Sequence, residues 1–166
     1  MFELKPLSAE AVPAALAKAE HYRLLNEPVQ AESICRDILR VDADNRKALV
    51  TLILALTDQL TRRLASAFRE CQQFITQLDD SYSRAYYSGL LSERRASAHH
   101  AISAGGAGWL AYDWYRRAME HYENAIEQRP PGNDDAVLRW NACARTIDRH
   151  NDLEPSPEET FQPLLE

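Results

Sequence analysis

Histidine, cysteine and glycine are the residues of this chain whose types and spacing could do chemistry. His99 and His100 are adjacent, Glu93 lies just before them, and His121 falls on the following segment. Imidazoles beside a carboxylate suggest a metal site. Neighbours on a helix point about 100° apart, however, so His99 and His100 do not easily share one ion. The paired di-iron pattern puts Glu three residues before His. Here those positions hold Lys18, Ala96, Ser97, Ala118 and Ile147, so it fails. Gly106-Ala107-Gly108-Trp109-Leu110-Ala111 has the Gly-x-Gly-x-x-Ala spacing of a dinucleotide loop. That loop needs a strand before it, and the preceding segment reads as helix, so a hairpin tip is expected. Cys35, Cys71 and Cys143 are too few and scattered for a disulfide framework and read as small apolar packing residues in a reducing compartment. Metalloprotease, nucleophile-elbow, Cys-x-x-Cys and phosphate-loop motifs are missing. The expectation is a non-enzyme with no cofactor and no metal.

Charge narrows the partners. The 166 residues carry 19 Lys and Arg against 25 Asp and Glu, a net −6. After Arg149 the acids Asp152, Glu154, Glu158, Glu159 and Glu166 meet no base, so the body is near neutral. A neutral body gives little general attraction for nucleic acid. The basic stretch of Arg84, Arg94, Arg95, Arg116 and Arg117 reads as a solvated helix face. The longest apolar run, Ala48 to Leu56, is too short to span a membrane, and no secretory signal opens the chain. A cytoplasmic protein is expected.

What positions these residues is a series of helices. Breakers fall at 26–28, 41–45, 78–81, 105–108 and 130–133, and the segments between are rich in Ala, Leu, Arg and Glu without strand-type alternation. The fold class is all-α, with helices over about 12–25, from Pro28, 46–60, 63–78, 82–102, 109–128 and 134–148. Pro13 suits a first helical turn, and Asn133 and Asp134 suit the start of the last helix. Residues 151–166, with Pro155, Pro157 and Pro163, read as a disordered acidic tail after a domain of residues 1–150. Its apolar cluster Phe161, Leu164 and Leu165 could dock in a groove.

An internal period is visible. Ala31, Cys35, Ile38 and Ala43 share offsets of 4, 7 and 12 with Ala67, Cys71, Phe74 and Asp79, and with Ala118, Tyr122, Ala125 and Pro130. The first two blocks are 36 residues apart and the next step is 51. With Tyr22, the Leu49, Leu52, Ile53 and Leu56 stripe, and Gly89 after Ala85-Tyr86-Tyr87, the pattern resembles the tetratricopeptide repeat over about residues 12–149. The longer step departs from the family and implies an extended hairpin at about 92–112. The resemblance implies a right-handed superhelix of three repeats plus a capping helix. In that cap Trp140 would turn inward and Arg139 and Arg145 outward.

Such arrays bind proteins or peptides on the face lined by the first helix of each repeat. The resemblance therefore implies a partner groove of Leu16, Glu20, Arg23, Val50, Leu54, Thr57, Asp58, Tyr86, Leu90 and Arg94. The family's carboxylate clamp is excluded, because Leu16 and Glu20 stand where it uses Lys and Asn. A mixed apolar and charged lining suits a partner helix or extended segment. The expected function is a protein-binding adaptor; the alternative is a chaperone for a secreted or membrane-active client. Exposed Phe2 and Leu4 could cap the array or pair two copies as a homodimer. The excess of Arg over Lys, 16 to 3, suggests a GC-rich bacterial genome.

Overall fold

Helices account for most of the described residues in the computed structural model, which describes residues 2–102 and 106–157. Among these residues there are seven α-helices and no strand: α1 Val12–Leu24, α2 Pro28–Val41, α3 Arg46–Thr57, α4 Leu60–Ile75, α5 Ser81–His100, α6 Ala107–Glu127 and α7 Asp135–Arg149. The chain divides into two compact units between Gln77 and Leu78.

Local chemistry sets the ends. Pro13 and Pro28 occupy first-turn positions of α1 and α2, where a missing N–H costs nothing. Asn45 caps α3 by accepting from the Ala48 N–H at 2.9 Å, and Asp80 caps α5 by accepting from the Ser83 N–H. Asn133 accepts from the Asp135 N–H at 3.0 Å, and Asp134 stands at the N-cap position of α7. The third helix stops at Thr57, short of the expected Leu60, with the Thr57 hydroxyl turned back onto the Leu54 carbonyl. The next helix begins early, at Leu60, with a kink at Arg63.

In the first unit, α1 and α3 run parallel. Val12 and Ala48, near their N-terminal ends, share one buried cluster with Ile38 of α2, and Arg23 bonds Asp58 across the other ends. Likewise, α2 and α4 are parallel: Glu32 meets Arg63, and four residues on Arg36 meets Glu70. Two helical hairpins therefore stack in register, with cross-contacts separated by 34 and 35 residues. Helix α3 is buried on most sides, from Ala48 to Thr57, as stacking requires of an inner helix.

In the second unit α5 and α6 form a long antiparallel hairpin. Gly89 faces Tyr122, and further along α5 Ser97 meets Tyr115. The 92–112 extension is thus made of lengthened helices; Ser103, Ala104 and Gly105 lie outside the described residues. Parallel to α5 lies α7, since Tyr82 reaches Asn133 at one end and His100 reaches His150 at the other. The chain beyond α7 corrects the expected tail: Leu153 is 4% exposed and belongs to this unit's core, because an apolar side chain there finds a packing site. Phe161, Leu164 and Leu165 lie outside the described residues.

Candidate functional site

Helices α1 and α3 build a shared face in the first unit. Leu16, Glu20 and Arg23 follow one another at helical spacing on α1, and Val50 and Leu54 do so on α3, with Asp58 next in the row at its C-cap. The Arg23 guanidinium donates to Asp58 at 2.9–3.0 Å and ties the two rows together. Leu16, Val50 and Leu54 are half-buried and Glu20 is exposed, so an apolar strip with charged edges remains accessible. Thr57 does not contribute, being 3% exposed with its hydroxyl spent on Leu54.

Behind that face a charged network locks the hairpins. Glu32, nearly buried, accepts from Arg36 at 2.8 and 3.0 Å, from Gln59 at 2.7 Å and from Arg63 at 3.1 Å. Glu70 closes it by accepting from both Arg36 and Arg63. Burial alone would push the Glu32 carboxyl up. Bonds from Gln59 and Arg36 and the charges of Arg36 and Arg63 reverse this, holding it below the ordinary carboxylate value. A network of this kind fixes the geometry between the hairpins.

The three expected groove residues of the second unit behave differently. Tyr86 packs on its own core, with its ring 5.9 Å from both Tyr82 and Tyr122 and edge-on to Tyr87 at 5.2 Å. Leu90 is 2% exposed and cannot line an accessible surface. Of the three, only Arg94 is exposed.

Glu93 is the polar centre of this unit. It accepts from the Tyr122 hydroxyl at 2.6 Å and from Arg139 at 3.1 Å. Arg139 therefore turns inward, contrary to the capping-helix expectation, because Glu93 is a half-buried carboxylate that needs a cation. Burial, and then Glu93 itself, drives the Tyr122 hydroxyl far above the usual tyrosine range. Trp140 donates to Glu123 at 2.9 Å and packs against the core. The guanidinium carbons of Arg95 and Arg117 sit 4.1 and 4.7 Å from the Trp114 ring centre. The basic stretch is thus partly engaged: Arg84 spends itself on the carbonyls of Leu78 and Asp79.

The cysteines are buried, and burial pushes each thiol up to about 12. They are core residues, not nucleophiles. The histidines separate as helical geometry requires. His99 turns inward with its Nε2 buried and unbonded among the described residues, and burial followed by Arg95 lowers its basicity. His121 is lowered by burial as well, with Glu120 opposing. His100 turns the other way, to a contact absent from the sequence reading: its Nε2 lies 3.0 Å from Asp152 Oδ2 and its ring 4.7 Å from that of His150. The signal for it was His150-x-Asp152 at the end of α7, obscured because Asp152 read as part of a disordered tail.

Comparison with protein families, with curated proteins and with solved structures returns no match to the chain. No helix among the described residues is long and apolar enough to cross a membrane.

Proposed function

We propose that the chain is a protein-binding adaptor of tetratricopeptide type, which takes a partner helix or extended segment on the α1/α3 face. One observation carries this reading. The first helices of two stacked hairpins lie parallel, joined by Arg23 and Asp58, and leave Leu16, Val50 and Leu54 half-exposed between charged edges. An apolar strip with flanking charges suits an amphipathic ligand. The close approach of Gly89 to Tyr122 further supports the resemblance, since it places a glycine where paired helices meet.

The test is affinity capture from source lysate, comparing wild type with a Glu20→Lys, Leu54→Lys variant whose helicity is verified by circular dichroism. A protein retained by wild type, lost by the variant, and rebinding wild type after purification supports the face as the site. Equal retention by both overturns it.

A further inference from the structure

The end of the second unit gathers three metal-type donors from separate parts of the chain. His100 closes α5, His150 follows the last residue of α7, and Asp152 stands two residues on. Their donor atoms all lie within 4.8 Å of one another. One pair, His100 Nε2 and Asp152 Oδ2, is 3.0 Å apart. Two ligands of one tetrahedral ion with bonds of about 2.0–2.1 Å stand about 3.3 Å apart, so this pair is nearly spaced for it.

We propose that His100, His150 and Asp152 bind a divalent transition-metal ion of the zinc class. Two imidazoles and one carboxylate favour such a borderline ion over calcium or magnesium, which take oxygen ligands. Three further features support a built site. Both α5 and α7 end here, and the C-terminal ends of helices carry partial negative charge that favours a cation. Asp152 is held in place: a Cβ at Gly108 would lie 2.1 Å from the Asp152 carbonyl oxygen, so only glycine lets this strap lie on the start of α6. Leu153, buried next to it, and the Leu153 N–H bond to the His150 carbonyl at 2.9 Å anchor the strap from the other side. Finally, His100 and Asp152 line a depression of about 330 Å³ with Trp109 and Glu154. Three protein ligands leave a fourth position for water or for Glu154. The ion replaces the present His100–Asp152 hydrogen bond and cross-links the ends of α5 and α7. This inference is independent of the partner-binding reading.

The experiment titrates Co²⁺ into chelator-treated, full-length protein, followed by visible absorption, with Zn²⁺ as competitor. One equivalent is expected to bind, to be displaced by Zn²⁺ and to resist Ca²⁺. His150→Ala and Asp152→Asn should each weaken binding by more than about tenfold, the lower end of the cost of losing even an outer-shell partner. His21→Ala, remote in sequence and in the other unit, should bind as wild type. Absence of stoichiometric binding, or equal binding by His150→Ala, overturns the proposal. Should Asp152→Asn release the strap, His150→Ala, whose side chain is exposed, decides alone.

Discussion

Gly89 offers the sharpest test of the α5–α6 packing. It sits in the middle of a helix, where alanine is favoured over glycine by about 1 kcal/mol. Propensity alone therefore predicts that Gly89→Ala stabilises. The structure predicts the opposite. A Cβ at Gly89 would lie 2.6, 2.7 and 3.0 Å from three ring carbons of Tyr122, where ordinary contact begins near 3.4 Å. The ring would have to retreat by roughly 0.8 Å, as the difference between that ordinary contact and the closest approach shows. It has nowhere to go: Tyr122 is 0% exposed, and its hydroxyl is held on Glu93 at 2.6 Å.

Overpacking a well-filled core costs about 1–3 kcal/mol, and a pinned aromatic ring puts this site at the upper end. Subtracting the propensity gain of about 1 kcal/mol leaves a net destabilisation of about 2 kcal/mol. With a urea m-value of about 2 kcal/mol/M, the midpoint should fall by about 1 M. Ser88→Ala, one residue earlier on α5, controls for propensity and should change stability by less than about 0.5 kcal/mol. Gly89→Ala combined with Tyr122→Leu should cost less than the sum of the two single changes, because the smaller side chain makes room. A Gly89→Ala protein at least as stable as wild type would refute the close approach of α5 and α6.

Other perturbations test other contacts. Removing the Glu32 carboxylate by Glu32→Ala should cost about 1–3 kcal/mol, since Gln59 and the two arginines lose their acceptor; urea titration measures it. Because the Glu32 carboxyl is held below its ordinary value of 4.5 in the fold, its contribution is present above that value and is lost as pH falls through the lower folded one; an acid limb unchanged in Glu32→Gln would contradict this. His99 and His121 are also depressed below 6.5, so acidification from that value downward should destabilise the fold as the unfolded chain takes up protons first. A thermal-melt series from pH 7.5 to about 5, in wild type and a His99→Gln, His121→Gln variant, would show it as a smaller slope in the variant. The three thiols should stay unmodified by a thiol reagent at pH 8 and all react once the chain is unfolded; rapid labelling of folded protein would show that they are not buried as described. Leu153→Ala should cost about 2–5 kcal/mol, the range for emptying a buried leucine site, whereas a disordered tail would give no change.

The helices were legible in the sequence because periodicity and breakers are local signals. Pro13, Pro28, Asn45 and Asp80 mark helix starts through chemistry confined to one turn. The hairpin stacking was legible too, through repeated offsets whose physical counterpart is contact at separations of 34 and 35 residues. What escaped were the decisions made by partners distant in sequence. Nothing near Arg139 indicates that Glu93, 46 residues earlier, will draw it inward. Nothing around Tyr86 indicates that Tyr82 and Tyr122 will enclose it. Placing Thr57 and Leu90 on a binding face assumed ideal helical rows. In the structure Thr57 is buried at the end of α3, and α5 turns the row of Leu90 into its own core.

The end of the chain shows most clearly why composition misleads. Prolines and acids after Arg149 resemble a solvated tail, and over residues 151–157 that reading fails for two side chains and one missing side chain. Leu153 supplies apolar area worth about 1.5–3 kcal/mol on burial, which offsets the backbone ordering of about one or two residues. Gly108, 44 residues earlier in the chain, leaves the space in which the Asp152 carbonyl can sit. Asp152 then reaches His100. The same three contacts that fold the strap back also assemble the donor set with His150, so the two properties should fail together. A Gly108→Ala substitution, which removes no donor atom, should lift the strap and abolish metal binding while His100 and His150 remain. Full Co²⁺ binding by Gly108→Ala, with Leu153 still protected in hydrogen exchange, would mean that the glycine does not set the strap's position.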